Sequence, residues 1–135
     1  MSPNSPASRY EIIDPKKAGA FSIQGAKATD IEWRVARALE ILDIPYIFQY
    51  ELFGGHSKRG GVVVDFLAIT APLSTPIWVQ GEYWHQGRQK TVDDYQMAIV
   101  AHYNRGQLAE AVVLWGAELQ TDEQALSTVR RELRI

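Results

Sequence analysis

The sequence predicts an α/β domain in which a mixed central sheet of about four strands is flanked by helices. Three observations support this fold class. Apolar residues recur at helical spacing after residues that typically cap helices. Short apolar runs rich in β-branched residues lie between these segments and indicate strands. The predicted elements follow the order helix, three strands, helix, strand, helix. The return from the second helix to the last strand would place that strand beside an earlier one, which gives a mixed sheet.

The first 28 residues differ in composition from the rest of the chain. They are rich in Ser, Pro, Gly and Ala and show no period, so an irregular N-terminal arm is expected over residues 1–28. Its apolar stretches 10–13 and 21–23 could dock onto the domain. Residues 29–135 are then expected to form one domain, which is long enough for a single sizeable core.

The first helix is predicted to begin at Thr29. The run Thr29-Asp30-Ile31-Glu32 is a capping box, in which the Thr hydroxyl and the Glu carboxylate each satisfy a free backbone amide. An apolar stripe at helical spacing follows, formed by Ile31, Val35, Ala38, Leu39 and Leu42. Glu32 lies at the edge of that stripe, so it could cap the helix, line a functional site, or do both.

Three strands are expected next, over residues 46–52, 62–69 and 77–82. The second is continuously apolar except for Asp65 and is predicted to be buried on both faces. Beyond them, a second helix is expected from Thr91 to a terminal Gly106, a strand over 111–115 and a last helix over 122–134.

Asp65, Gln80 and Glu82 are the candidate metal ligands. A hairpin turn centred between residues 73 and 74 would pair Asp65 with Glu82, and a shift of that centre by one residue would pair it with Gln80. Two carboxylates about 4 Å apart repel by roughly 4 kcal/mol at an effective dielectric near 20, so a raised pKa, a protein cation or a bound metal must offset the repulsion. Oxygen ligands of this kind suit Mg²⁺, Mn²⁺ or Ca²⁺. The alternative is that Asp65 caps a buried backbone group and Glu82 lies at the wet end of its strand.

Two polar loops carry candidate contacts to phosphate. The glycine-rich loop 54–61 contains His56, Lys58 and Arg59, and the loop after Glu82 contains His85, Arg88 and Lys90. Glycines allow close backbone approach to a ligand, and Lys and Arg suit phosphates. His85 is in addition a candidate proton carrier. Both loops could equally be solvated turns.

Composition excludes several classes of protein. Cysteine is absent, which excludes disulfides and thiolate metal sites and fits a reducing cytoplasm. No apolar run approaches the roughly 20 residues of a membrane span, and the N-terminus has no hydrophobic signal core. The net charge of −2 requires any nucleic-acid binding to use local basic clusters.

Three short motifs resemble those of the PD-(D/E)xK nuclease superfamily, especially its very-short-patch-repair-like branch with homing-endonuclease and phage-type members. They are Val64-Asp65-Phe66, then Val79-Gln80-Gly81-Glu82-Tyr83-Trp84-His85, then Asp93 or Asp94 with Gln96. The likeness covers residues 29–115, and the order and spacing of the motifs carry it. It implies a restriction-endonuclease-like core and Mg²⁺- or Mn²⁺-dependent hydrolysis of DNA.

Under this resemblance, Asp65 and Glu82 would hold the metal with Gln80 assisting, and Glu32 and His85 would complete the catalytic set. The basic loop residues would hold the phosphates of DNA. The third-strand motif departs from the family pattern of acid-x-Lys, since Gln80 and Glu82 stand at the two positions. This departure motivates the alternative, a catalytically inactive nuclease fold that binds DNA or protein. Cutting both DNA strands usually needs two copies of a small active site, so a homodimer is expected in that case.

Overall fold

The computed structural model describes residues 12–13, 21–52, 62–81 and 106–135. Within these ranges the chain is a mixed α/β structure with one four-stranded sheet, one small three-stranded sheet and two α-helices. No α-helix in the described ranges combines the length and the apolar composition that crossing a bilayer requires.

The main sheet consists of β4 (Tyr46–Leu52), β5 (Val62–Ala68), β6 (Thr75–Gln80) and β7 (Val112–Trp115), in that spatial order. The pairs β4–β5 and β5–β6 are antiparallel, whereas β7 runs parallel to β6 with Gln80 beside Trp115. The predicted mixed sheet is therefore confirmed, including the strand that returns alongside an earlier one.

Helices α1 (Asp30–Ile41) and α2 (Asp122–Leu133) pack on the same face of this sheet. Their buried residues share one core with the strands. That core contains Val35, Ala36, Ala38 and Leu39 of α1, Ala125 and Val129 of α2, and Tyr46, Phe48, Phe66, Ala68, Ile77 and Leu114 of the sheet. We call this side of the sheet the helix face. The opposite face carries a second buried cluster of Val64, Leu67, Trp78 and Leu108, which confirms that β5 is buried on both faces.

The N-terminal segment forms a small sheet of β1 (Ile12–Ile13), β2 (Ser22–Ile23) and β3 (Ala26–Lys27). Gln24 and Gly25 both have positive φ, +49° and +79°, so they form a two-residue type I′ turn. The expectation of an irregular arm is thus wrong for residues 22–27, because this turn chemistry closes a hairpin. Ile23 is fully buried in the main core, so the expected docking of residues 21–23 is confirmed.

Gln24 also fastens the hairpin to the main sheet. Its side-chain Nε2 donates to the carbonyl of Tyr46 at 2.9 Å, and its Oε1 accepts from the amide of Phe48 at 2.9 Å. One side chain therefore satisfies a donor and an acceptor on the outer edge of β4.

The predicted helix from Thr91 lies outside the described residues. Gly106 is described, and its φ of +74° is the left-handed conformation expected of a glycine that follows a helix. The chain then runs beside β6 from Leu108, where the amide of Ala109 donates to the carbonyl of Ser74 at 2.8 Å.

Candidate functional site

In β4 and β5, the alternation of side chains between the two faces of the sheet is interrupted at the same position along the paired strands. In a regular strand, residues two apart point to the same side. Phe48 packs on the helix face and Tyr50 on the opposite face, and in the paired strand Phe66 and Val64 are divided in the same way. The break in β4 falls at Gln49, whose φ is +57°. The corresponding break in β5 falls at Asp65.

Asp65 is directed toward the helix face and toward the neighbouring strand. Its Oδ2 accepts a hydrogen bond of 2.7 Å from the backbone amide of Val79 in β6. The register between β5 and β6 runs from Ala68 with Thr75 to Phe66 with Ile77. Beyond Ile77, β6 has no register partner in β5, and the Asp65 side chain instead of a β5 carbonyl accepts the hydrogen bond from the Val79 amide.

The Glu32 carboxyl lies within hydrogen-bonding reach of the Asp65 carboxyl. Glu32 is in the first turn of α1, where the predicted capping box is confirmed: its Oε1 accepts from the Thr29 amide at 2.8 Å, and its own amide donates to Thr29 Oγ1 at 3.2 Å. The capping bonds engage only the Oε1 atom of the Glu32 carboxylate. Glu32 thus caps α1 and approaches Asp65, which is one of the outcomes the sequence left open.

We call Asp65 and Glu32 the carboxyl pair. Burial raises the pKa of Asp65 to about 7, against the lowering effect of the Val79 amide, and the neighbouring Glu32 carboxyl raises it further. The charged neighbour that shifts this pKa is another carboxyl and not a cation. A negative charge at Asp65 is therefore poorly compensated by the described residues.

The hairpin register differs from both alternatives considered from the sequence. Because Ala68 pairs with Thr75, the turn is centred between residues 71 and 72. Asp65 thus lies at the level of Trp78, and its pairing with Gln80 or Glu82 is wrong. The strand after the turn also begins earlier than the predicted residue 77, since Thr75 and Pro76 belong to β6.

Gln80 lies at the end of β6 and is 7% exposed. In this strand Ile77 and Val79 pack on the helix face, whereas Trp78 belongs to the opposite cluster. Strand alternation assigns Gln80 to the side of Trp78. If that alternation continues to the end of β6, the Gln80 side chain lies on the face opposite to Val79.

The remaining predicted site residues lie outside the described residues. They are Glu82 and His85 from the catalytic set, and His56, Lys58, Arg59, Arg88 and Lys90 from the predicted nucleic-acid contacts. Asp93, Asp94 and Gln96 of the resemblance lie there too. Their roles stay predictions.

The alternative role of Asp65, the capping of a buried backbone group, is confirmed, and the group is the Val79 amide. The sequence did not identify which amide this would be. A backbone donor has no residue-type signature, and the contact depends on where β5 and β6 stop pairing. The wrong register concealed it.

Glu40, also in α1, is a second buried carboxyl that serves as a reference for the carboxyl pair. It is 8% exposed, and Tyr46 Oη donates to its Oε2 at 3.0 Å. Burial raises its pKa to about 7, against the lowering effects of Tyr46 and Arg37. Glu40 has a hydroxyl donor and a nearby cation, whereas the described neighbour of Asp65 on α1 is a like charge.

The carboxyl pair fits a divalent cation that prefers oxygen. Two carboxyls from different elements converge, and a cation between them would relieve the repulsion that burial strengthens. Among the described residues, no group of three or more His, Cys, Asp and Glu side chains converges. Waters, substrate oxygens or a residue beyond Gly81 would therefore have to complete the coordination.

Comparison of the chain with protein-family models, with curated proteins and with solved structures gives no match.

Proposed function

We propose that this protein is a metal-dependent endonuclease that hydrolyses phosphodiester bonds in DNA, with Asp65 and Glu32 holding Mg²⁺ or Mn²⁺. The observation that supports the proposal is the convergence of two carboxyls from α1 and β5, where β5 and β6 stop pairing and burial raises the pKa of Asp65 to about 7. Such a pair is costly for the folded protein unless a proton or a cation joins it. Perturbed carboxyls of this kind are typical of functional sites.

The protein groups have separate roles in this proposal. The Val79 amide orients Asp65, and the capping box orients Glu32. When bound, the divalent cation supplies a Lewis acid that activates water and offsets charge on the scissile phosphate.

The residues beyond the described ranges keep the roles that the resemblance implies. Glu82 is proposed as a further ligand and His85 as a proton carrier. Gln80 is proposed to assist through its backbone, since the alternation of Ile77, Trp78 and Val79 along β6 assigns its side chain to the face opposite to Val79. The predicted phosphate contacts are His56, Lys58, Arg59, Arg88 and Lys90. A homodimer is proposed only for cleavage of both strands, and a reducing cytoplasm remains the expected compartment.

Nicking of supercoiled plasmid DNA in the presence of Mg²⁺ or Mn²⁺ tests this function. Wild type should nick the plasmid, and chelation by EDTA should abolish the reaction. Asp65→Asn, which keeps the shape and an acceptor for the Val79 amide, should lower the rate at least about 100-fold. Glu40→Gln is the matched control, because it neutralises another buried carboxyl with a raised pKa and keeps an acceptor for Tyr46. Its rate should equal that of wild type.

A nuclease-like fold without catalytic activity is the second candidate. The 2.7 Å bond from the Val79 amide favours it, because Asp65 then has a sufficient structural reason to be buried. In that case wild-type protein would leave the plasmid intact with either metal and would still shift DNA in a gel or bind a protein partner.

A further inference from the structure

Gly116, directly after β7, lies against the backbone of Gly81, directly after β6. A Cβ atom on Gly116 would be 2.7 Å from the Gly81 carbonyl oxygen and 3.2 Å from its Cα. Both distances are shorter than ordinary van der Waals contact, and the neighbour is backbone that no rotamer change can move aside. Because Gln80 and Trp115 are register partners, this contact extends the β6–β7 pairing by one residue.

The turn that contains Gly116 is held from several sides. It is a short 3₁₀ turn, Gly116–Glu118, and the Gly116 carbonyl accepts from the Leu119 amide at 3.0 Å and from Gln120 Nε2 at 2.6 Å. On the α2 side, Thr128 Oγ1 donates to the Glu118 carbonyl at 3.0 Å. Leu119 is fully buried in the core. The turn therefore has little freedom to retreat from Gly81.

The same turn touches the helix that carries Glu32. Arg34 Nη1 donates to the Leu119 carbonyl at 3.0 Å, and Arg34 lies two residues after Glu32 in α1. On the other side, Gly81 lies two residues after Val79, whose amide binds Asp65. The turn thus contacts both segments that hold the carboxyl pair.

We propose that Gly116 is a positioning residue for the carboxyl pair, because the absence of its side chain lets the turn fix the end of β6 beside Asp65. The expected effect of Gly116 on cleavage rests on the proposed nuclease function. Its effect on the position of the Val79 amide does not depend on that function. A methyl group at Gly116 would push the Gly81 peptide away and carry the Val79 amide with it. Asp65 would then lose the donor that orients its carboxylate.

Gly116→Ala tests the inference, with Ala117→Ser as the matched control. The control also adds one heavy atom to the turn, but at an exposed position. Gln120→Ala is a second, milder variant, which removes a donor to the Gly116 carbonyl without adding an atom. Two quantities are measured in each protein: the amide proton chemical shift of Val79 by NMR without metal, and kcat and KM for nicking.

In Gly116→Ala, the Val79 amide signal should move upfield as the bond to Asp65 lengthens, and kcat should fall at least about tenfold with KM within about twofold. Gln120→Ala should change the Val79 chemical shift and kcat in the same direction but by smaller amounts. Ala117→Ser should leave the Val79 chemical shift and kcat unchanged. If Gly116→Ala does not fold, Gln120→Ala alone decides. Folded variants that keep the wild-type Val79 signal and kcat would overturn the inference. If wild type does not cleave DNA, the nuclease proposal fails separately, and the Val79 signal still decides whether Gly116 positions the site.

Discussion

At the scale of single residues, the two carboxyls of the site are held by different backbone donors. Asp65 accepts from the Val79 amide across the sheet, and Glu32 accepts from the Thr29 amide within its own helix turn. The second bond is local, so the motif Thr-x-x-Glu was sufficient to predict it. The first joins residues of two strands, and its existence depends on a register that the sequence did not determine.

Glu32→Gln should separate the capping role of Glu32 from its role beside Asp65. Gln can still close a capping box, so the free energy of unfolding should change by less than about 1 kcal/mol. The like charge that helps raise the pKa of Asp65 would be gone, so that pKa should fall. Nicking should nevertheless slow at least about tenfold, because the proposed metal ligand would lose its charge. An unchanged nicking rate at saturating Mg²⁺ would leave Glu32 as a cap only.

Glu40→Gln should change how stability depends on pH. The pKa of Glu40 rises from 4.5 to about 7 on folding, so the folded protein binds a proton that the unfolded chain releases in this range. Stability therefore falls as the pH rises from about 4.5 to about 7, by at most about 1.4 kcal/mol per pH unit for one proton. The variant should lose this contribution, while Asp65 retains one of the same sign. Urea unfolding at pH 5 and pH 7 gives the change in the free energy of unfolding between the two pH values. The same change in wild type and in Glu40→Gln would contradict the prediction.

At the scale of elements, the decisive feature is the paired break in β4 and β5. It turns Asp65 toward the helices, although Asp65 lies in a strand whose other residues are apolar. The positive φ at Gln49 accompanies this break. No residue in the sequence indicates it, because positive φ usually requires Gly, Asn or Asp.

Gln49→Val should destabilise the protein although Gln49 is exposed. A β-branched residue resists positive φ, and the expected cost is about 1–3 kcal/mol. Gln49→Asn is the matched control, since Asn tolerates the left-handed region, and it should stay within about 0.5 kcal/mol of wild type. Urea unfolding gives both values. Similar values for the two variants would mean that the break does not depend on this backbone conformation.

The strands and helices themselves were largely predictable from the sequence. The strand Tyr46–Leu52 was predicted at its observed bounds, and the last strand and last helix within a residue or so. Burial and capping decide such elements locally. The predicted β5–β6 register was wrong because the third strand was expected to begin at residue 77, whereas Pro76 already pairs with Leu67. The contact between Gly116 and Gly81 could not be predicted from the sequence, because it depends on how two distant chain segments pack against each other.

At the scale of the whole molecule, one core joins the N-terminal hairpin, both helices and the sheet. Ile23 of the hairpin is fully buried with residues of α1 and β4. The apolar stretch 21–23 indicated this docking, but the composition of residues 1–28 did not show the hairpin, which depends on a two-residue turn and one glutamine side chain.

Ile23→Ala should therefore lower the stability of the entire domain. Truncation of a fully buried Ile costs about 2–5 kcal/mol. Ile41→Ala is the matched control, because Ile41 is 55% exposed at the end of α1, and its effect should be below about 1 kcal/mol. Both values come from urea unfolding monitored by Trp fluorescence. A small effect at Ile23 would show that the hairpin is not part of the cooperative unit.

A crystal soaked with Mn²⁺ would reveal directly whether Asp65 and Glu32 jointly hold a divalent cation, as we propose. We expect an anomalous peak within about 2.5 Å of a carboxyl oxygen of each residue, and no such peak in Asp65→Asn. If saturating Mn²⁺ gives no peak between the two carboxyls, or a peak within bonding distance of only one of them, the pair does not hold the cation.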